Sequence, residues 1–108
     1  MEKKYRLRYL RQFYEDLVAT VSYISGTLHN PSAALSLIDD VERAIMERLE
    51  SPEVFEKYKG ERDRECPYYR IRVRNYLVFY VVLDDGESKV MEVRRFLYGR
   101  RCLDSLLP

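Results

Sequence analysis

Residues 68–83 read Y-Y-R-I-R-V-R-N-Y-L-V-F-Y-V-V-L, and this stretch decides the fold. In its first half, arginines at 70, 72 and 74 alternate with Ile71 and Val73, the period of a strand with one face buried. Arg74-Asn75 then supplies a tight turn. Tyr76 to Leu83 is almost unbroken apolar sequence, as expected of a central strand covered on both faces. Asp84-Asp85-Gly86 reads as the turn of a second hairpin into a third strand, Val90–Leu97.

Upstream the period changes. Phe13, Leu17, Val21, Ile24 and Leu28 recur every three or four residues, one face of a helix of about four to five turns. His29-Asn30-Pro31 interrupts it. Asn30 suits a helix N-cap and Pro31 the first helical position, so a second helix starts there, with a core stripe of Ala34, Ile38, Val41, Ile45 and Leu49. Ser51-Pro52 ends it. Two helices joined so briefly should pack as an antiparallel hairpin. At the N-terminus, Tyr5, Leu7 and Tyr9 alternate with Lys4, Arg6 and Arg8, a half-buried strand. Residues 53–66 are polar, contain Gly60 and read as a surface loop.

The element order is therefore β-α-α-β-β-β, an α+β fold with a helical hairpin on one face of a mainly antiparallel four-stranded sheet. The first strand cannot join by a hairpin, because two helices intervene, so it belongs at an edge or beside a later strand. If Ile71 and Val73 point at the helices, Arg6 and Arg8 share an open face with Arg70, Arg72 and Arg74.

With 108 residues, the chain is expected to be a single domain spanning 1–108. Its 46% hydrophobic and 34% charged content is ordinary for a globular domain. No stretch approaches the ~20 apolar residues that span a bilayer. The charged N-terminus has no apolar core of a signal peptide, so a cytoplasmic location is expected, with no membrane partner. Two cysteines, Cys66 and Cys102, are too few for a disulfide framework and wrongly spaced for zinc, so no metal or other cofactor is expected. The only histidine, His29, falls in the connection between the helices and reads as a plain loop residue.

Charge is unevenly distributed. Residues 11–60 hold five basic and nine acidic side chains, and the rest of the chain holds 14 basic and nine acidic. An acidic middle with basic flanks implies one cationic face, and the acidic helical surface should face solvent. Arg94, Arg95, Arg100 and Arg101 fall within eight residues around Tyr98. Four cations so close repel one another without a partner. Tyr98, beside Gly99, is the best placed of ten tyrosines to stack on a base or a partner side chain, whereas Tyr69, Tyr76 and Tyr80 should pack the sheet.

The element order, the core Y-x-I-x-V-x-N-Y-L-V-F-Y from Tyr69 and the ending V-R-R-F-L-Y-G-R-R from Val93 resemble the RelE/ParE superfamily. These are toxins of bacterial type II toxin–antitoxin modules, also called plasmid stabilisation proteins. The likeness covers nearly the whole chain and is sharpest from Tyr69 to Asp104. It implies neutralisation by a cognate antitoxin whose disordered tail wraps the toxin, in a toxin–antitoxin hetero-oligomer. It implies one of two targets. RelE-like members cut mRNA on the ribosome without a metal, and ParE-like members bind and block DNA gyrase.

By the same resemblance, Arg70 and Arg72 match basic positions that face RNA in RelE-like toxins, and Arg101 matches a catalytic arginine. The cleaving members place an arginine after the tyrosine of the central strand, where this chain has Leu77. They often end with a functional tyrosine or histidine, where this chain has Leu106, Leu107 and Pro108. ParE-like chains carry an aliphatic residue at the Leu77 position and His or Tyr at the Tyr98 position. Many relatives of both kinds have Asp where this chain has Cys102. The Cys102 difference does not separate the two kinds, and the other departures lean toward the gyrase-directed or an uncharacterised branch.

Metal-free RNA cleavage needs a base, an acid and charge stabilisation at the phosphate. Arginine supplies the last but does not lose its proton, so it cannot be the base. The base would have to be Tyr98, Tyr76, Glu92 or another group, and no complete set for proton transfer is evident. As an enzyme the chain would use Arg70, Arg72, Arg101 and Tyr98. As an inhibitor it would present Arg6, Arg8, Arg70, Arg72, Arg94, Arg95, Tyr98, Arg100 and Arg101 to its target. A third reading is a non-toxic relic that only binds its antitoxin.

Overall fold

Strand β1 (Tyr5–Tyr9) opens the chain in the computed structural model, which describes residues 5–58, 67–99 and 106–107. Helix α1 (Arg11–Ser22) follows almost at once and runs into a π-helical stretch, Tyr23–Thr27. Helix α2 (Pro31–Leu49) doubles back, and β2 (Tyr69–Val73), β3 (Tyr76–Asp84) and β4 (Lys89–Tyr98) complete the element order. The expected order and strand limits hold to within about a residue, helped by turn chemistry that leaves little freedom.

Helix α2 starts as its sequence requires. The Asn30 side chain accepts the Ala33 N–H at 3.2 Å, and Pro31 occupies the first turn. Its buried residues are Ala34, Leu37, Val41 and Ile45. Helix α1 keeps the expected stripe through Phe13, Leu17 and Ile24, but Leu28 is exposed. The cause is the π-helical stretch: Leu28 N–H bonds to the Tyr23 carbonyl, five residues back, at 3.0 Å. Each wider turn advances the helix phase and rotates Leu28 off the core side. His29 then takes a φ of 52°, reversing the chain in the short connection as expected of a loop residue.

The sheet has the strand order β1-β4-β3-β2. Strands β2, β3 and β4 are antiparallel neighbours, and β1 lies parallel to β4 with Arg8 opposite Glu92. The first strand is thus both at an edge and beside a later strand. Strand β4 carries a bulge: Phe79 faces Arg95 and Tyr80 faces Val93, leaving Arg94 as the extra residue.

One core lies under the helices, where Val78 and Tyr80 of β3, Met91, Val93 and Phe96 of β4, and Ile71 of β2 meet Phe13, Leu37, Val41 and Ile45. The opposite face is not open. It carries a second apolar cluster of Leu77, Phe79, Val81 and Leu97, covered by Tyr58, Tyr68, Leu106 and Leu107. Strand β3 is therefore apolar along its length because both of its faces are covered.

Candidate functional site

The face away from the helices gathers most of the candidate arginines, because the pleat that buries Ile71 and Val73 turns Arg70 and Arg72 outward, and Leu7 does the same for Arg6 and Arg8. Arg74 does not join them. It takes a φ of 56° in the two-residue turn, and its guanidinium turns to α2, where it binds Asp40 at 2.7 Å and the Ser36 hydroxyl at 2.8 Å. The left-handed turn breaks the alternation that the sequence suggested.

Arg70 and Arg72 are exposed, and among the described residues no carboxylate forms an ion pair with either. The Arg70 guanidinium lies 5.6 Å from the Tyr58 ring centroid, a cation–π contact that leaves its donors available. Among the described candidate arginines, these two are the ones left without an ion pair.

The other edge is self-neutralised. Glu92 is buried and accepts from Arg8 Nε at 2.8 Å and from Arg94 Nε at 2.7 Å. Arg94 also donates to the Tyr68 hydroxyl at 3.3 Å and sits over that ring. Burial pushes the Glu92 carboxyl up, but the Arg94 and Arg8 hydrogen bonds and charges outweigh it and hold it below its ordinary value. Arg6 pairs with Asp85 in the β3–β4 turn. Arg95 binds Asp16 of α1 through Nε and Nη2 at 2.7 and 2.9 Å, and donates from Nη1 to the Leu106 carbonyl at 2.6 Å. Asp16 also accepts the Phe96 N–H at 3.0 Å. Asp16 is thus drawn inward, in contrast to the solvent-facing acidic surface expected for the helices. Arg94 and Arg95 are thus each compensated by an acid within the fold.

Tyr98 closes β4, partly exposed at 38%, with its ring edge-on to Tyr76 at 5.8 Å. Behind it, Gly99 N–H bonds to the Asn75 carbonyl at 2.8 Å, and a Cβ on Gly99 would stand 3.2 Å from that oxygen, so this close approach favours glycine. Arg100 and Arg101 lie outside the described residues, as do Cys66 and Cys102.

The structure therefore places the arginines in two groups on one face. Arg70 and Arg72 stand on one edge strand and Arg6 and Arg8 on the other, three strand spacings or about 14 Å apart. The apolar cluster of Phe79, Val81 and Leu97 lies between them. Arg70 and Arg72 can hold an anionic group at their edge, whereas Arg6 and Arg8 at the other are already paired with Asp85 and Glu92. Leu77 is buried in that apolar cluster.

A concavity of about 240 Å³ lies on the helix side, lined by Tyr9, Phe13, Tyr14, Leu17, Ile38 and Glu42 among others. Tyr14 and Val18 of α1 stand exposed there or close by in sequence. No three potential metal ligands stand together among the described residues, and no described helix is long and apolar enough to cross a membrane.

Sequence reasoning did not find Asp16 as a partner of Arg95, nor Tyr68 as a partner of Arg94. Neither pairing leaves a local signal, since the partners are 79 and 26 residues apart. It also missed Arg48, which stacks on Phe55 at 3.5 Å and donates to the Tyr80 hydroxyl at 2.9 Å, with Tyr80 in turn donating to the Pro52 carbonyl at 2.6 Å. Burial raises the Tyr80 phenol above its ordinary value despite Arg48.

Against known proteins, residues 7–102 match the family model described as the ParE toxin of the type II toxin–antitoxin system parDE. Among solved structures, the chain is similar to one of a chromosomal ParDE toxin–antitoxin system from P. aeruginosa. That match has a TM-score of 0.66 and 14% identity, over 87% of this chain and 95% of the other. It is also similar to a YoeB/ParE toxin from Agrobacterium tumefaciens, with a TM-score of 0.56 and 14% identity, over 86% and 97%. At such identities the likeness establishes the fold. No curated protein matches significantly.

Proposed function

Because the chain belongs to the ParE toxin family of type II toxin–antitoxin systems, we propose that it is a growth-arresting toxin, silenced by a cognate antitoxin, that acts by binding and inhibiting DNA gyrase. The observation that carries this choice of target is Leu77. The cleaving branch of the superfamily has an arginine here, whereas this side chain is buried in the apolar cluster of the second face. A phosphate-binding cation there would cost the cluster a central member.

Glu92 supports the same reading. Its carboxylate is held by two arginines and shifted toward the charged form, a poor base for a 2′-hydroxyl at neutral pH. In an inhibitor, Arg70, Arg72, Tyr98, Arg100 and Arg101 are the contact residues.

A second reading, a ribosome-dependent endoribonuclease, draws on the freedom of Arg70 and Arg72, which match RNA-facing positions and lack an ion-pair partner among the described residues. The two readings separate by pulse labelling of DNA and protein synthesis in the minutes after induction in bacteria. DNA synthesis falling first supports gyrase. Protein synthesis falling first overturns that target in favour of mRNA cleavage. Neither falling, with folded protein present, defeats the toxin reading.

A further inference from the structure

Residues 50–58 leave the end of α2 and pass from one side of the sheet to the other. Pro52 is on the helix side, where its carbonyl accepts the Tyr80 hydroxyl at 2.6 Å. Further on, Tyr58 lies in the apolar cluster of the second face, edge-on to Phe79 at 5.3 Å. The Tyr58 N–H bonds to the Tyr68 carbonyl at 2.7 Å, and Lys57 bridges to Tyr69 on the outer side of β2.

Arg48, in the last turn of α2, meets this crossing. Its guanidinium lies over the Phe55 ring, 3.5 Å from the centroid. From Nη1 the same group donates to the Tyr80 hydroxyl at 2.9 Å and to the Arg70 carbonyl at 3.2 Å. Strand β2 is at the edge of the sheet, so that carbonyl faces away from β3 and takes its hydrogen bond from outside the ladder.

Arg70 is held at a second point. Its guanidinium stands 5.6 Å from the Tyr58 ring centroid, at the far end of the crossing that Arg48 stacks against. Arg72, further along the same strand, has neither contact among the described residues.

We propose that Arg48 is a positioning residue for Arg70. It fixes the β2 backbone through the Arg70 carbonyl. Through Phe55 it also steadies the segment whose Tyr58 ring aims the Arg70 guanidinium. One cation, turned toward the fold, thereby directs another that faces outward. A planar guanidinium suits this task, because its face stacks on a ring while its edge donates to oxygens.

The test is 15N relaxation of the arginine Nε–H groups by NMR on the full chain, with Arg72 as the internal reference. In the wild type, Arg70 should be more ordered than Arg72. Arg48→Met should erase that difference, while the backbone amides of β3 keep their order. Equal order for the two arginines in the wild type overturns the proposal, and so does a difference that survives Arg48→Met. Loosening of β3 to the same degree overturns it as well, because Arg48 would then serve general stability. Should Arg48→Met not fold, Phe55→Leu removes only the stack, at a half-exposed ring. It should narrow the difference between the two arginines, and an unchanged difference overturns the proposal.

A second arm, which rests on the toxin reading, measures the inducer dose that halves growth at matched levels of folded protein. Arg48→Met should raise that dose about two- to five-fold, as Arg70→Ala does, the share of one exposed ion pair. With both changes together the dose should rise no further than with Arg70→Ala alone, which a role confined to stability would not give. Additive losses, or full arrest by Arg48→Met, overturn the positioning role. A wild-type chain that arrests nothing defeats the toxin reading and leaves the relaxation result to decide whether Arg48 orders Arg70.

Discussion

Replacing Glu92 by Ala should reveal how strongly one buried carboxylate ties β1 to the sheet. Removing one partner of a fully buried ion pair costs about 3–5 kcal/mol, because the other charge is left without compensation. The two arginines here differ. Arg8 is 53% exposed and regains water, so its share is that of a surface pair, ~0.2–1 kcal/mol. Arg94 is 21% exposed and keeps the Tyr68 hydroxyl, so it suffers most of the loss but not the full buried penalty. The expected total is about 2–3 kcal/mol. For a chain of this length that corresponds to a fall in Tm of about 8–15 °C.

Urea denaturation followed by far-UV circular dichroism measures it, with the slope unchanged if only the native state is affected. A double-mutant cycle with Arg94→Ala should show coupling above about 1 kcal/mol. A total loss below about 1 kcal/mol, or additive single costs, would refute the electrostatic reasoning. The same group sets a pH dependence. Its folded-state carboxyl is held below its unfolded value of 4.5, so in between the unfolded chain binds more protons. The contribution is complete above that value and is lost as pH falls through the folded one. Wild-type stability should drop more steeply on acidification than that of Glu92→Ala.

Three further outcomes follow from the packing. Phe79→Ala removes a ring that is fully buried between Tyr58 and Tyr68 and should cost about 3–5 kcal/mol in denaturant titration. Asn30→Ala removes the cap of α2 and should cost about 1 kcal/mol, with Asn30→Gly costing less. Arg70→Ala and Arg72→Ala should leave stability within about 0.5 kcal/mol of wild type, since neither side chain is buried. Together they should weaken growth arrest, and undiminished arrest would remove both from the contact surface.

Much of the fold was legible because its signals are local. The alternation around Ile71, the cap at Asn30 and the glycine turn after β3 each constrain a few neighbouring residues. The lid on the second face was not legible, because Tyr58, Tyr68 and Leu107 reach it from separate parts of the chain. Leu28 was misplaced because a π-helical turn leaves no periodic signature. At the candidate site the arginines were visible as residue types, but their partners were not. Whether an arginine lacks an ion pair among the described residues, as Arg70 does, or is committed, as Arg95 is to Asp16, depends on contacts dozens of residues away. Arg74 shows the same limit at shorter range, since one left-handed residue sent it to the opposite side of the sheet.

The parallel pairing of β1 with β4 has a consequence for synthesis. The first strand made is completed by the last, and Arg8 meets Glu92 across 84 residues. A ribosome emits the helices and the β2–β3 hairpin well before β4 emerges, and until then β1 has no neighbour in the sheet. Closure across so long a span is slow compared with local helix or hairpin formation. A nascent chain stalled anywhere before residue 89 lacks the strand that joins the Arg6–Arg8 edge to the Arg70–Arg72 edge. The finished face arises only after β4 has been translated.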